Sequence, residues 1–127
     1  MTNGRFLGVS YFEIPVADLE RAITFYETLF DVQLVRDTVD GYAMALFPDT
    51  EGAAGATGAL AKGDVHVPAK AGPIVYIAVP DIDAVLGALV DAKGTVLLEP
   101  RVVADQGVVA EFEDSEGNRV ALFQSVN

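Results

Sequence analysis

Tyr11-Phe-Glu-Ile-Pro-Val-Ala-Asp18 leads directly into Leu-Glu-Arg-Ala-Ile-Thr-Phe-Tyr-Glu-Thr-Leu-Phe30. The first part alternates as a strand does. In the second, Leu19, Ala22, Ile23, Tyr26, Leu29 and Phe30 recur at helical spacing and form one apolar face. Asp18 stands where a carboxylate accepts from the first free amides of a helix. Strand, cap and helix recur in Ile74-Val-Tyr-Ile-Ala-Val-Pro-Asp81 and the Ile-Asp-Ala-Val-Leu-Gly-Ala-Leu-Val-Asp-Ala-Lys93 that follows. There Ile82, Val85, Leu86, Leu89 and Ala92 match the first helix after a shift of 63 residues. The repeat is one of pattern: between residues 11 and 35 only Ile14, Val16, Asp18 and Leu34 are identical to their partners.

Strand signals follow each helix, at residues 32–35 and 95–98. Asp40-Gly41 reads as a hairpin turn into residues 42–47, and Gln106-Gly107 as the turn before 108–113. Asp114-Ser-Glu-Gly117 leads into a last strand over 118–124. Each module is therefore expected to run strand, helix, strand, strand, strand. Gly94 suits a left-handed helix end, and Asp31 is its counterpart in the first module. A Gly/Ala-rich loop over 48–58 takes the place of the last turn in the first module and is expected at the mouth of a site, where it could act as a lid. It lacks the Gly-Lys-Ser/Thr ending and the helix of a phosphate-binding loop.

The 127 residues are 51% hydrophobic and 21% charged, which predicts one globular domain over 1–127. Its modules are expected at about 5–62 and 73–127, joined by a linker at about 62–72. With no apolar run of membrane-spanning length and no signal peptide, a soluble cytoplasmic protein without a membrane partner is expected. The net charge of −11 argues against nucleic acid, which needs a basic surface to displace phosphate counterions. The absence of cysteine excludes disulfides, thiol catalysis and thiolate metal sites.

Three stretches carry a resemblance: Ile14-Pro-Val-Ala-Asp-Leu-Glu-Arg-Ala-Ile-Thr-Phe-Tyr26, Val79-Pro-Asp-Ile-Asp83 and Phe112-Glu-Asp-Ser-Glu-Gly-Asn-Arg-Val120. In that order they resemble the vicinal oxygen chelate superfamily of glyoxalase I, bleomycin resistance protein and extradiol dioxygenases. The resemblance implies an α+β fold of two βαβββ modules whose curled mixed sheets form a cup with helices outside. It also implies a ligand inside the cup, often a divalent metal, and a homodimer.

In the metal-dependent members a His on the first strand precedes the motif Val by five residues, and a Glu stands on the last strand. The matching positions here are Tyr11, Ile74 and Ala121, and residues 57–61 of the first module hold no carboxylate. His66 is the only histidine, so one chain cannot assemble a His-rich site. An oxygen-ligand site for Mg²⁺ or Mn²⁺ would need several converging carboxylates, which the sequence does not show, so no metal and no cofactor are expected. His66 falls in the linker and reads either as a surface loop residue or as a proton shuttle or dimer contact.

Strand alternation sorts the remaining residues. Phe12, Ile14, Val16, Val75, Ile77, Val79, Val120 and Leu122 are expected under the helices, with Phe47 and Phe112 in the core. Tyr11, Glu13, Tyr42, Met44, Leu46, Tyr76, Glu111 and Phe123 then line the cup. Of these, Tyr11, Met44, Leu46, Tyr76 and Phe123 are the candidate ligand-binding residues, forming apolar walls with a few polar groups. Glu13 and Glu111 are the candidate catalytic residues, each a potential general base. Glu13 is otherwise expected to pair with Arg119 or Arg101 or to sit at a solvated rim, and Glu111 equally to lie on a wet edge. Two principal readings stand side by side. One is a glyoxalase/bleomycin-resistance-like protein that binds or sequesters a small molecule without metal, in a pocket between the modules. The other is a lyase or isomerase with Glu13 or Glu111 as base. An accessory domain acting through protein contacts is a third.

Overall fold

The computed structural model describes residues 4–49 and 57–126, so most of the expected mouth loop, residues 50–56, lies outside the described residues. The first half forms β1 (Phe12–Pro15), α1 (Leu19–Phe30), β2 (Val35–Val39), β3 (Tyr42–Leu46) and β4 (Gly58–Lys62). The second forms β5 (Tyr76–Ala78), α2 (Ile82–Asp91), β6 (Thr95–Val103), β7 (Gly107–Glu113) and β8 (Arg119–Ser125). Each half builds its own four-stranded mixed sheet, in the orders β1-β4-β3-β2 and β5-β8-β7-β6. The first strand of each half runs parallel to the last, and the other pairings are antiparallel. The α+β class and the two βαβββ modules agree with the sequence reading.

Local chemistry explains the element ends. Asp18 accepts from the Arg21 amide at 3.0 Å, and Asp81 accepts from the amides of Asp83 and Ala84. Asp31 ends α1 in the left-handed region at φ 54°. After α2, Lys93 takes that conformation, at φ 65°, and Gly94 does not. Gly94 serves packing: a Cβ there would strike the Leu89 side chain. The strand expected at 32–35 begins only at Val35, because the Glu27 carboxylate accepts from the Leu34 amide and holds that segment against α1. The strand expected at 95–98 runs on to Val103 with two register shifts. In the Asp40-Gly41 turn both residues have positive φ, as a tight hairpin turn requires.

Both helices lie in one core. Ile14, Ala45 and Leu60 of the first sheet and Ala110, Phe112, Val120 and Leu122 of the second are buried in the same cluster as the apolar faces of α1 and α2. The helices also pack on each other. The helices are therefore not an outer cover within one chain. They lie between the helix-side faces of the two sheets, and the opposite sheet faces turn away from this core. Tyr26, fully buried, sits at the centre against Phe25, Phe30, Phe47 and Phe112. Its hydroxyl donates to Asp114 at 2.7 Å, and burial beside that carboxylate pushes the phenol well above its ordinary pKa.

The turn between β7 and β8 fastens the second module to α1. Glu116 accepts from the amides of Ala17 and Asp18 and from the Arg21 guanidinium at 2.8–3.0 Å. Asn118 donates to the Pro15 carbonyl and to Asp114. Burial would raise the Glu116 carboxyl. The bonds from Arg21, the Asp18 amide, Ser115 and the Ala17 amide outweigh it and hold the pKa at about 2. A carboxylate at a helix N-terminus also complements the helix dipole.

Glu116→Ala should lower the unfolding free energy at neutral pH by about 1–3 kcal/mol, because it orphans two amides and a guanidinium. Since the folded pKa is depressed, this contribution is present above the ordinary carboxyl value and fades as pH falls toward about 2. Urea unfolding of both proteins as a function of pH should show the difference shrinking on acidification. Gly58→Ala should cost about 1–3 kcal/mol, since its Cβ would run into the Phe12 carbonyl oxygen and ring. A thermal midpoint equal to that of the parent protein would refute that reading.

Candidate functional site

The sheet faces turned away from the core carry the residues singled out from alternation. On the first sheet Glu13 is opposite Ala59, which is in turn opposite Leu46, while Met44 is opposite Ala61. Met44, Ala59 and Ala61 are buried with Tyr42 and Leu46 packed against them, as a small second core. On the second sheet Tyr76 and Glu111 both flank Ala121, and Ala78 and Val109 flank Phe123. Tyr11, Glu13, Met44 and Leu46 thus share one face, and Tyr76, Glu111 and Phe123 share the other. Because both helices lie between the sheets, the two sets do not meet inside one chain.

The charged groups on each face are already engaged. The Tyr11 hydroxyl donates to Glu13 Oε2 at 2.9 Å, and His66 Nε2 lies 3.0 Å from Glu13 Oε1. His66 stacks edge-on against Tyr42, with ring centroids 5.1 Å apart. Its Nδ1 is buried without a partner, and a Cβ on Gly63 would come within 3.0 Å of it. The tautomer with its proton on Nε2 fits this setting, since it donates to Glu13 and leaves no buried N–H without an acceptor. Partial burial, then the bond to Glu13 and its charge, push the Tyr11 phenol up to about 12. Tyr11 therefore stays a donor throughout the working range of the protein.

Of the settings expected for Glu13, an arginine pair is absent among the described residues and His66 takes that place, while the Glu13 side chain is 37% exposed, as at a partly solvated rim. Arg119 pairs with Glu111, two positions along the neighbouring strand from its own register partner Glu113. His66 is also no open loop residue, since its side chain is only 14% exposed. Val65 and Val67 on either side are exposed. That Val-His-Val alternation was the one sequence signal that could have turned His66 inward. Lys70, also from the linker, pairs with Glu113 at 3.1 Å.

A cavity of about 590 Å³ opens elsewhere, between the modules. Phe12, Phe30 and Phe47 line one side, and Ile77, Ala84 and Ala88 the other. Of the residues expected in a site, only Tyr76 reaches it.

The model of the Glyoxalase/Bleomycin resistance protein/Dioxygenase superfamily matches residues 8–122, and the chain belongs to that superfamily. No curated protein matches. Among solved structures, a glyoxylase/bleomycin resistance protein/dioxygenase domain from Frankia sp. EAN1pec superposes with a TM-score of 0.71 at 18% identity, covering 94% of this chain and 98% of that one. TnmS3, an antibiotic binding protein from Streptomyces sp. CB03234, gives 0.66 at 22% identity, covering 95% and 98%. A glyoxalase I mutant from Zea mays gives 0.67 at 25% identity, covering 91% of this chain and 46% of that one.

The superfamily implies a divalent metal in some members, and the donor set here does not fit one. The register makes Ala59 the counterpart of Ala121, each lying beside the equivalent residues Glu13 and Tyr76. The ligand positions are then a phenol held at a pKa of about 12, an isoleucine and two alanine methyls. Among the described residues no three His, Asp or Glu side chains converge. Nor is any helix among them long and apolar enough to cross a membrane.

Glu13→Gln should bring the Tyr11 ionisation down from about 12 toward the ordinary phenol value, without reaching it, because burial remains. NMR titration of ring-labelled tyrosine measures this directly. An unchanged midpoint would show that Glu13 does not hold the hydroxyl.

Proposed function

We propose that this chain is a small-molecule-binding protein that works without a metal ion and captures its ligand over the helix-free sheet faces. The observation that carries the reading is the make-up of those faces. A buried apolar floor of Met44, Ala59 and Ala61 lies beside an exposed aromatic and a carboxylate of fixed orientation, which is how ligand sites are built. The other face repeats the plan with Phe123, Ala121, Tyr76 and the Glu111–Arg119 pair. Tyr11, 41% exposed, and Tyr76, 55% exposed, offer ring surface to a planar ligand. The antibiotic-binding TnmS3, of like fold, supports this class of ligand.

The chain acts in this reading as one domain, and two copies form a homodimer. Each helix-free face is a floor without an opposing wall, and a face from a second copy supplies that wall. A cytoplasmic setting belongs to the same reading. Catalysis by Glu13 or Glu111 as general base is the weaker reading. Glu13 already faces Tyr11 and His66 through both oxygens, and Glu111 is tied to Arg119. A carboxylate so engaged suits recognition better than proton abstraction.

The test is a thermal-shift screen of planar aromatic natural products on protein stripped with a chelator, run beside light scattering for mass. The expected result is a hit that stabilises by about 2.7 kcal/mol at one hundred times its Kd, unaffected by chelator, on a species of twice the chain mass. Glu13→Gln and Met44→Lys should weaken that hit. Stoichiometric metal in the purified protein, or hits that respond to neither substitution, would overturn the proposal.

A further inference from the structure

The duplicated modules meet at two equivalent junctions, and these are filled differently. At the first, Arg21 of α1 reaches Glu116 and Phe25 packs on Phe112 at 6.1 Å between ring centroids. The shift of 63 residues turns Arg21 into Ala84 and Phe25 into Ala88. Strand register makes Phe47 the counterpart of Phe112, since each follows the residue opposite Ala59 or Ala121. At the second junction, then, an alanine faces a phenylalanine where the first places two rings together. Ala84, Ala88 and Phe47 all line the cavity of about 590 Å³. Its volume lies in the range of small-ligand sites.

We propose that this second junction is a binding site for an uncharged apolar molecule of two or three fused or linked rings, distinct from the helix-free faces although Tyr76 borders both. The chemistry of the lining sets the class. The lining is mostly aromatic and aliphatic, with Thr28, Thr57 and the carboxylates of Asp31 and Asp81 as its polar groups, and Asp81 already accepts from two backbone amides as a helix cap. Among the described residues no lysine or arginine lines the cavity to neutralise an anion. The site arises where small residues of α2 replace large ones of α1, so filling it restores the packing of the first junction.

N-Phenylnaphthylamine, an uncharged two-part aromatic whose fluorescence rises on leaving water, is the probe. It should bind the intact chain with one molecule per protomer. In amide NMR spectra its addition should shift Ile77, Ala84 and Ala88, and leave Glu13, Met44 and Ala61 in place. Ala88→Phe should weaken binding about ten-fold or more by occupying the ring space, with the thermal midpoint retained or raised. If that variant fails to fold, Ala84→Leu is read in its place, with the same loss expected. No binding to the parent protein, shifts centred on Glu13 and Met44, or full binding to the filled variant would each overturn the site. The response of the screening hits to Glu13→Gln and Met44→Lys reads the outer faces, and the response to Ala88→Phe reads the cavity, so either proposal can fail alone.

Discussion

One core has to serve two sheets. A βαβββ half of about 60 residues has too little surface to bury its helix and sheet independently with much margin. Here the halves solve this jointly, with α1 and α2 packed together between the helix-side faces. Tyr26 stands at the point where everything meets, since its ring touches phenylalanines from both modules and its hydroxyl reaches Asp114 of the second. Once the helices are committed to the middle, the other sheet faces must look outward, and that decides where Tyr11, Glu13 and Glu111 sit.

The alternation of side chains told which residues share a face, and the structure keeps that sorting for Ile14, Val16, Val120 and Leu122 on one side and Met44 and Glu111 on the other. Alternation has a period of two and carries no information about where a second sheet is placed, so the separation of Glu13 from Glu111 was not legible. Helix caps at Asp18 and Asp81 were legible because capping is local. The partners of Glu13 and Glu116 were not, because those pairs span 53 and about 95 or more residues. Sequence separation on that scale hides a contact unless charge alone dictates it, and an arginine was as good a guess as a histidine for Glu13.

Duplication also explains an imbalance. Charge, cap and aromatic ring lock α1 to the second module through Arg21, Glu116 and Phe25. The matching face of α2 carries alanines. The first junction is therefore the more densely bonded of the two, while α2 is held through Ile82, Val85 and the hydrogen bond from the Ile82 amide to Gln124.

The sheet margins are equally uneven. β6 is nine residues long, but Pro100 and two register shifts in its pairing with β7 interrupt its regularity, and β2 carries Arg36 and Asp37 on an exposed strand. The bare edges are β1 and β5, only four and three residues long. Short or interrupted edges are poor templates for strand addition. With a net charge of −11 opposing close approach of many copies, the chain has little means of growing into fibrils. In a chain that exposes aromatic and valine side chains on its open sheet faces, it is the edges, more than the faces, that are guarded against strand addition.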